Sequence, residues 1–245
     1  MDEQTTFDTF TTQNQFQYSA VEMDDLGATE YTLVNILVDE TPSIHAFKSD
    51  MEKCIETVIE ACKKHPKSEN LLIRVAKFNS RQGIKEVHGF SPITSLTADK
   101  YELIPNGMTN LFDASFDSID TVKDYAQRLI QSGNIDCLNT VFFVITDGEE
   151  NDSHQVKYSS EVGKLMNDIR QSKDLESTTS ILIGVNDSQC QQSLNDFHQQ
   201  ALFSYYKSMG EATPDILAEL AGFMYNLVSS TSMVLGSGKS PDLNI

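Results

Sequence analysis

Positive charge is scarce in this chain. Its 245 residues hold 18 Lys and Arg against 36 Asp and Glu, a formal net charge of −18, and the first 30 residues have no Lys or Arg at all. That balance argues against nucleic-acid binding, which draws its affinity from basic side chains on phosphates. No apolar run is long enough to cross a bilayer. The opening Met-Asp-Glu-Gln-Thr-Thr has neither a basic stretch nor an apolar one, so no secretory leader is expected. Cysteine is sparse too. Cys54, Cys62, Cys137 and Cys190 have no metal-type spacing, and Cys54 and Cys62 lie two helical turns apart, about 12 Å of rise, too far for a disulfide. The expectation is a cytoplasmic protein with reduced cysteines. The five histidines are scattered and none pairs with a Cys at zinc spacing. No Ser/His/Asp or Cys/His set stands out, and the expectation is that the chain is not an enzyme.

What is present is an alternation of short apolar runs and helical periodicities. Tyr31 to Val38 is a β-branched, apolar strand. Ile44, Phe47, Met51, Ile55, Val58 and Cys62 then recur at helical spacing. Leu71–Phe78 is a second strand, Arg81-Gln-Gly83 a hairpin turn, and Ile84–Phe90 an antiparallel edge strand. Phe112 to Leu129 marks a helix, Val141–Thr146 the central strand, and Tyr158 to Ile169 another helix. A strand over 179–185, a short helix over 191–199 and a last strand over 201–207 follow. Pro214 opens a C-terminal helix at a favoured first-turn position. Alternation of this kind predicts a doubly wound α/β fold: a mostly parallel six-stranded sheet with one antiparallel edge strand and helices on both faces. Residues 1–30 read as a flexible acidic tail, 31–230 as the domain and 231–245 as a flexible tail. Phe7, Phe10, Phe16 and Tyr18 are unusual in a disordered leader; they suit packing on the domain or docking a partner, and an inert leader is an equal alternative. Gly236-Ser-Gly-Lys-Ser240 lacks the earlier Gly, the preceding strand and the following helix of a phosphate-binding loop.

The chemistry sits at strand ends. Asp39, Thr41 and Ser43 follow the first strand at i, i+2 and i+4, and Thr109 stands just before a helix. Asp147 ends the strand Val141–Thr146. Taken alone, the first three are equally a turn and helix cap. Together with Thr109 and Asp147 they are an oxygen-only donor set, which suits a hard divalent cation, with Mg2+ as the default and Mn2+ or Ca2+ as alternatives. Ligands in such sheets bind beyond the carboxyl ends of the strands, where strand order reverses.

Asp-x-Thr-x-Ser, then Gly-x-Thr-x-Leu, then a strand ending Thr-Asp-Gly, in that order, resembles a von Willebrand factor A (vWA) domain. The resemblance covers roughly residues 31–230. It implies that Asp39, Thr41, Ser43, Thr109 and Asp147 form a metal-ion-dependent adhesion site (MIDAS) on a Rossmann-like fold. It also implies that Asp39 and Asp147 face one crevice, as in the intracellular bacterial and phage members, tellurite-resistance-type gene products among them. One departure stands out: the family commonly has Gly between the two hydroxyl residues, and here Pro42 fixes φ and removes an N–H. That stiffens the turn, changes the ion that fits, or marks a site without metal. The expected function is metal-dependent binding of a protein partner that presents an Asp or Glu, within a basic rim that complements this acidic surface. Neither nucleic acid nor membrane is an expected partner. Two alternatives use the same crevice: a metal-assisted phosphoester hydrolase, with Glu149 or His154 as acid or base, and an assembly protein with a dead site. The acidic run Glu149, Glu150 and Asp152 is either a solvated loop or a set of carboxylates that orient metal-bound waters.

Overall fold

The structure is a computed structural model, and it describes residues 6–96 and 101–238. Its centre is β3 (Glu30–Asp39). β4 (Leu71–Asn79) runs parallel on one side of it and β6 (Cys137–Thr146) parallel on the other. β7 (Ser177–Gly184) and β8 (Tyr205–Ser208) extend the parallel run beyond β6. Strand order therefore reverses at β3, and the carboxyl ends of β3 and β6 lie side by side.

Both faces of β3 are buried, which explains the continuous apolar run. Leu33 and Leu37 face a core shared with α2 (Leu111–Gln131), α3 (Ser159–Arg170) and α4 (Gln191–Gln200). Val34, Ile36 and Val38 face the opposite core, with α1 (Lys48–Lys63) and α5 (Pro214–Met233). Each such side chain contributes about 1.5–3 kcal/mol on burial. Asn35 interrupts the pattern, and its amide joins a buried network instead. Its Nδ2 donates to Ser118 Oγ (2.8 Å), and its Oδ1 accepts from Arg74 Nη1 (2.9 Å). The Arg74 side chain is wholly buried and pairs with Glu86 at 2.6 Å.

The sheet has eight strands rather than six, in the order β1-β2-β5-β4-β3-β6-β7-β8. The additional pair is an antiparallel hairpin, β1 (Phe7–Thr11) and β2 (Gln17–Val21), formed by residues that read as a flexible tail. As a result β5 (Gly83–Pro92), antiparallel to β4 as expected, is not an edge: β2 runs alongside it. The reason lies in the aromatic residues. Tyr18 is buried, its hydroxyl donates to Asp124 (2.7 Å), and its ring meets Tyr125 edge-on. Phe10 packs on Tyr18 and lies under the Arg128 guanidinium. Glu86 accepts hydrogen bonds from both Ser19 N and Ser19 Oγ. The end of the chain differs as well: α5 runs to Met233, past the expected boundary at 230, and Leu235 beyond it is buried. The expected C-terminal tail from 239 onward lies outside the described residues.

Gly89 is where the hairpin comes closest. A Cβ on Gly89 would lie 1.9 Å from the Ser19 carbonyl oxygen, a clash with backbone that no rotamer change relieves. Gly89→Ala is therefore expected to unlatch β1 and β2 while the parallel core remains folded. Limited proteolysis should then cut within residues 6–26 in the variant and not in the parent, and equal resistance would show that the hairpin does not depend on that contact.

Candidate functional site

Four of the five residues singled out from the sequence are joined by hydrogen bonds. Asp39, the last residue of β3, accepts from Thr146 Oγ1 (2.6 Å) through Oδ2 and from its own turn, Thr41 N (2.9 Å), through Oδ1. Thr41 Oγ1 and Ser43 Oγ are 3.0 Å apart, and Ser43 Oγ donates to Asp147 Oδ1 (2.8 Å). Thr109, the fifth, comes from the loop before α2, and a Cβ on Gly148 would lie 3.2 Å from its Oγ1. The loop after β6 is tied to Thr109 by backbone: Asn151 N and Asp152 N both donate to the Thr109 carbonyl, and Asn151 Oδ1 accepts from Thr109 N. Pro42 does not disturb this arrangement. It opens a 3-10 turn over Pro42–Ala46 at the first position, where a missing N–H is tolerated, and the hydroxyls on either side still meet.

Electrostatically the site is unbalanced. Burial pushes the Asp39 carboxyl up to about 7, against hydrogen bonds from Thr146 and Thr41 that hold it down, while the neighbouring Asp147 pushes it further up. Burial likewise raises Asp147. Asp147 Oδ2 is buried and has no hydrogen-bond partner. An orphaned carboxylate oxygen next to the Ser43–Thr41 hydroxyl pair suits a hard cation, so the residues fit the group that the sequence implied. Among the described residues no set of three or more His, Cys, Asp or Glu converges on a point. The donors here are two carboxylates and hydroxyls, a set of a different kind.

Two residues that support the site were missed. Glu40 stands between two of the singled-out residues and is itself buried. Its carboxylate accepts from Asn79 Nδ2 (3.0 Å) and Ile104 N (2.9 Å) and pairs with Lys77 Nζ (3.0 Å), while its carbonyl accepts from Asn106 N. It holds the 101–109 loop, and so Thr109, against the ends of β3 and β4. Asp113 takes the amides of His154, Gln155 and Val156. Nothing in the local sequence marks either role, because each partner lies far along the chain. The acidic run is largely occupied with structure: Glu150 accepts from Phe112 N, Asp152 N and Ser153 N.

Two outcomes follow from this geometry. Glu40→Ala would leave the buried Lys77 without its counter-ion, keeping only the Glu102 carbonyl, and is expected to cost about 3–5 kcal/mol in urea unfolding. It should also speed hydrogen exchange across residues 101–109, and unchanged exchange there would exclude the tether. The second outcome concerns pH. Asp39 titrates near 3.8 when unfolded and near 7 in the fold, so the folded state holds its proton more tightly and stability falls as pH rises through that window. In chelator, Asp39→Asn should lessen the loss between pH 4 and 7, measured by thermal melts. A variant whose pH profile overlays that of the parent would rule out this assignment.

No sequence-family model and no curated protein matches the chain. Solved structures do. The PilB minor pilin from Streptococcus sanguinis aligns with a TM-score of 0.54 at 14% identity, covering 90% of this chain and 66% of that one. Proximal thread matrix protein 1 from the mussel byssus aligns at 0.52 and 16%, covering 82% and 46%. The vWF domain of the type V pili tip protein Mfa5 from Porphyromonas gingivalis aligns at 0.53 and 9%, covering 89% and 99%. The chain thus spans about half to two thirds of the length of the first two proteins and nearly all of the third domain. At these identities the likeness is one of fold, and the chain has a mixed α/β, vWA-like fold.

Proposed function

We propose that this chain is a divalent-metal-dependent protein-binding module. In this reading Asp39, Thr41, Ser43, Thr109 and Asp147 form a MIDAS-type site that engages an acidic residue of the partner. The observation that carries it is the buried, unpartnered Asp147 Oδ2, beside a Ser43–Thr41 hydroxyl pair and a second buried carboxyl. Mg2+ is the ion we favour, with Mn2+ or Ca2+ as substitutes. When bound it would supply charge compensation for the two carboxylates and open positions for an incoming hard oxygen donor. The chain's own residues would orient it: Thr146 and Thr41 N fix the Asp39 carboxylate, and Ser43 fixes Asp147. A carboxylate is the natural incoming group, because one local cation overrides the repulsion of a protein at −18.

The hydrolase alternative would need an acid or base at the crevice. Glu149 is bonded to Ser193, and His154 is exposed and lies 3.7 Å from Asp152, so neither lends it support. For location we propose the cytoplasm, supported by four free cysteines, three of them buried. Among the described residues no helix is long and apolar enough to cross a membrane. The competing placement is outside the cell, since similar domains occur in a minor pilin and a pilus tip protein.

Titration calorimetry tests the reading. The parent should bind Mg2+ or Mn2+ at about one ion per chain, and Asp39→Ala should abolish that heat while its melting transition is retained. Absence of binding by the parent to Mg2+, Mn2+ and Ca2+ would refute it and move the assembly-protein alternative ahead.

A further inference from the structure

Among the described residues, large apolar side chains that stay in water are few, and two of them belong to one five-residue stretch. Ile104 is 49% exposed and Met108 50% exposed, and Met108 directly precedes Thr109. Single exposed apolar residues are ordinary. These two share one short loop whose backbone is tied down on several sides. Ile104 N donates to Glu40 Oε2 (2.9 Å), and Asn106 N donates to the Glu40 carbonyl (2.9 Å). Met108 N donates to Ser80 Oγ (3.0 Å), and Ser80 N donates to the Met108 carbonyl (2.8 Å). Leu103 N is held by Glu52 Oε1, and Thr109 N by Asn151 Oδ1. The same loop turns Tyr101 and Leu103 inward, where both are buried. Gly107 makes the turn at φ +67, with a built Cβ only 3.0 Å from Asn79 Oδ1 and Arg81 N. The loop thus buries two of its apolar residues and is tied down so that the other two remain outside.

We infer that Ile104 and Met108 form an apolar contact surface for the partner, continuous with the candidate metal site, and that the acidic residue it receives is flanked by aliphatic side chains. This rests on the metal-dependent reading and narrows it. A rim of opposite charge alone would steer the partner from a distance. An apolar shoulder beside the ion adds desolvation at contact, where directional polar bonds work best in low dielectric. A fixed shoulder also binds at a smaller entropy cost than one that must order first.

Blocked tripeptides separate the contributions. Acetyl-Leu-Asp-Leu-amide, acetyl-Gly-Asp-Gly-amide and their Asn counterparts would be titrated by NMR into the full chain with Mg2+. The parent should bind the Leu-flanked Asp peptide on the order of tenfold more tightly than the Gly-flanked one. The Ile104→Ser/Met108→Ser double variant, whose backbone bonds are unaltered, should lose that preference and keep its affinity for the Gly-flanked peptide. Equal affinity of the parent for both Asp peptides overturns the inference, as does a preference that survives in the double variant. The Asn peptides and Asp39→Ala report on the metal-dependent reading separately. If the parent treats Asp and Asn alike, that reading fails, whereas the aliphatic preference and its loss in the double variant would still place the apolar contact at this loop.

Discussion

The hydrogen bond from Thr146 to Asp39 ties the candidate site to the fold. It crosses from β6 to β3 at 2.6 Å, at the point where the sheet order reverses. The turn that carries Thr41 and Ser43 hangs from one of these strands and Asp147 from the other. The reversal leaves a crevice there, because the connections from the two strands depart in opposite directions. α1 follows β3 on one face of the sheet, and α3 follows β6 on the other. Had β3 and β6 not been neighbours, the two carboxyls would sit in separate crevices.

Those carboxyls are legible in the sequence because they end runs whose burial is unmistakable. Nearly every residue of Tyr31–Asp39 and Leu138–Thr146 is buried, and a polar residue just past such a run can only lie at the sheet's rim. The five central helices are legible for a similar reason, each having one apolar stripe. The β1–β2 hairpin is not. Its strands are only five residues each, Phe-Asp-Thr-Phe-Thr and Gln-Tyr-Ser-Ala-Val, and it shares a single ladder position with β5, Ala20 opposite Phe90. It is held by Tyr18, Phe10 and Ser19 reaching Asp124, Arg128 and Glu86, partners 67 to 118 residues away that no local pattern announces. Glu40 was hidden in the same way. Beside Asp39 it looks like one more acid in an acidic chain, and only the return of the 101–109 loop shows what it holds.

The treatment of these two adjacent acids is informative. Both are buried, at 1% exposure each, and burying a carboxylate without compensation is costly. Glu40 is compensated within the fold by the Lys77 ammonium at 3.0 Å and by amide donors from Asn79 and Ile104. Asp39 receives one hydroxyl and one backbone amide, Asp147 one hydroxyl, and among the described residues neither is paired with Lys, Arg or His. A fold that neutralises one acid with a lysine could do so for its neighbour; replacing Ser43 or Thr41 by a basic residue is a small change in sequence. Instead hydroxyls surround the second site, and hydroxyls supply oxygen donors without charge. Both carboxyls are left without a compensating positive charge among the described residues, and burial raises the pKa of each. The stiff Pro42 turn fits between the two hydroxyls, which still approach to 3.0 Å. A proline at the first position of a 3-10 turn fixes the course of that segment, and no N–H is needed from it there.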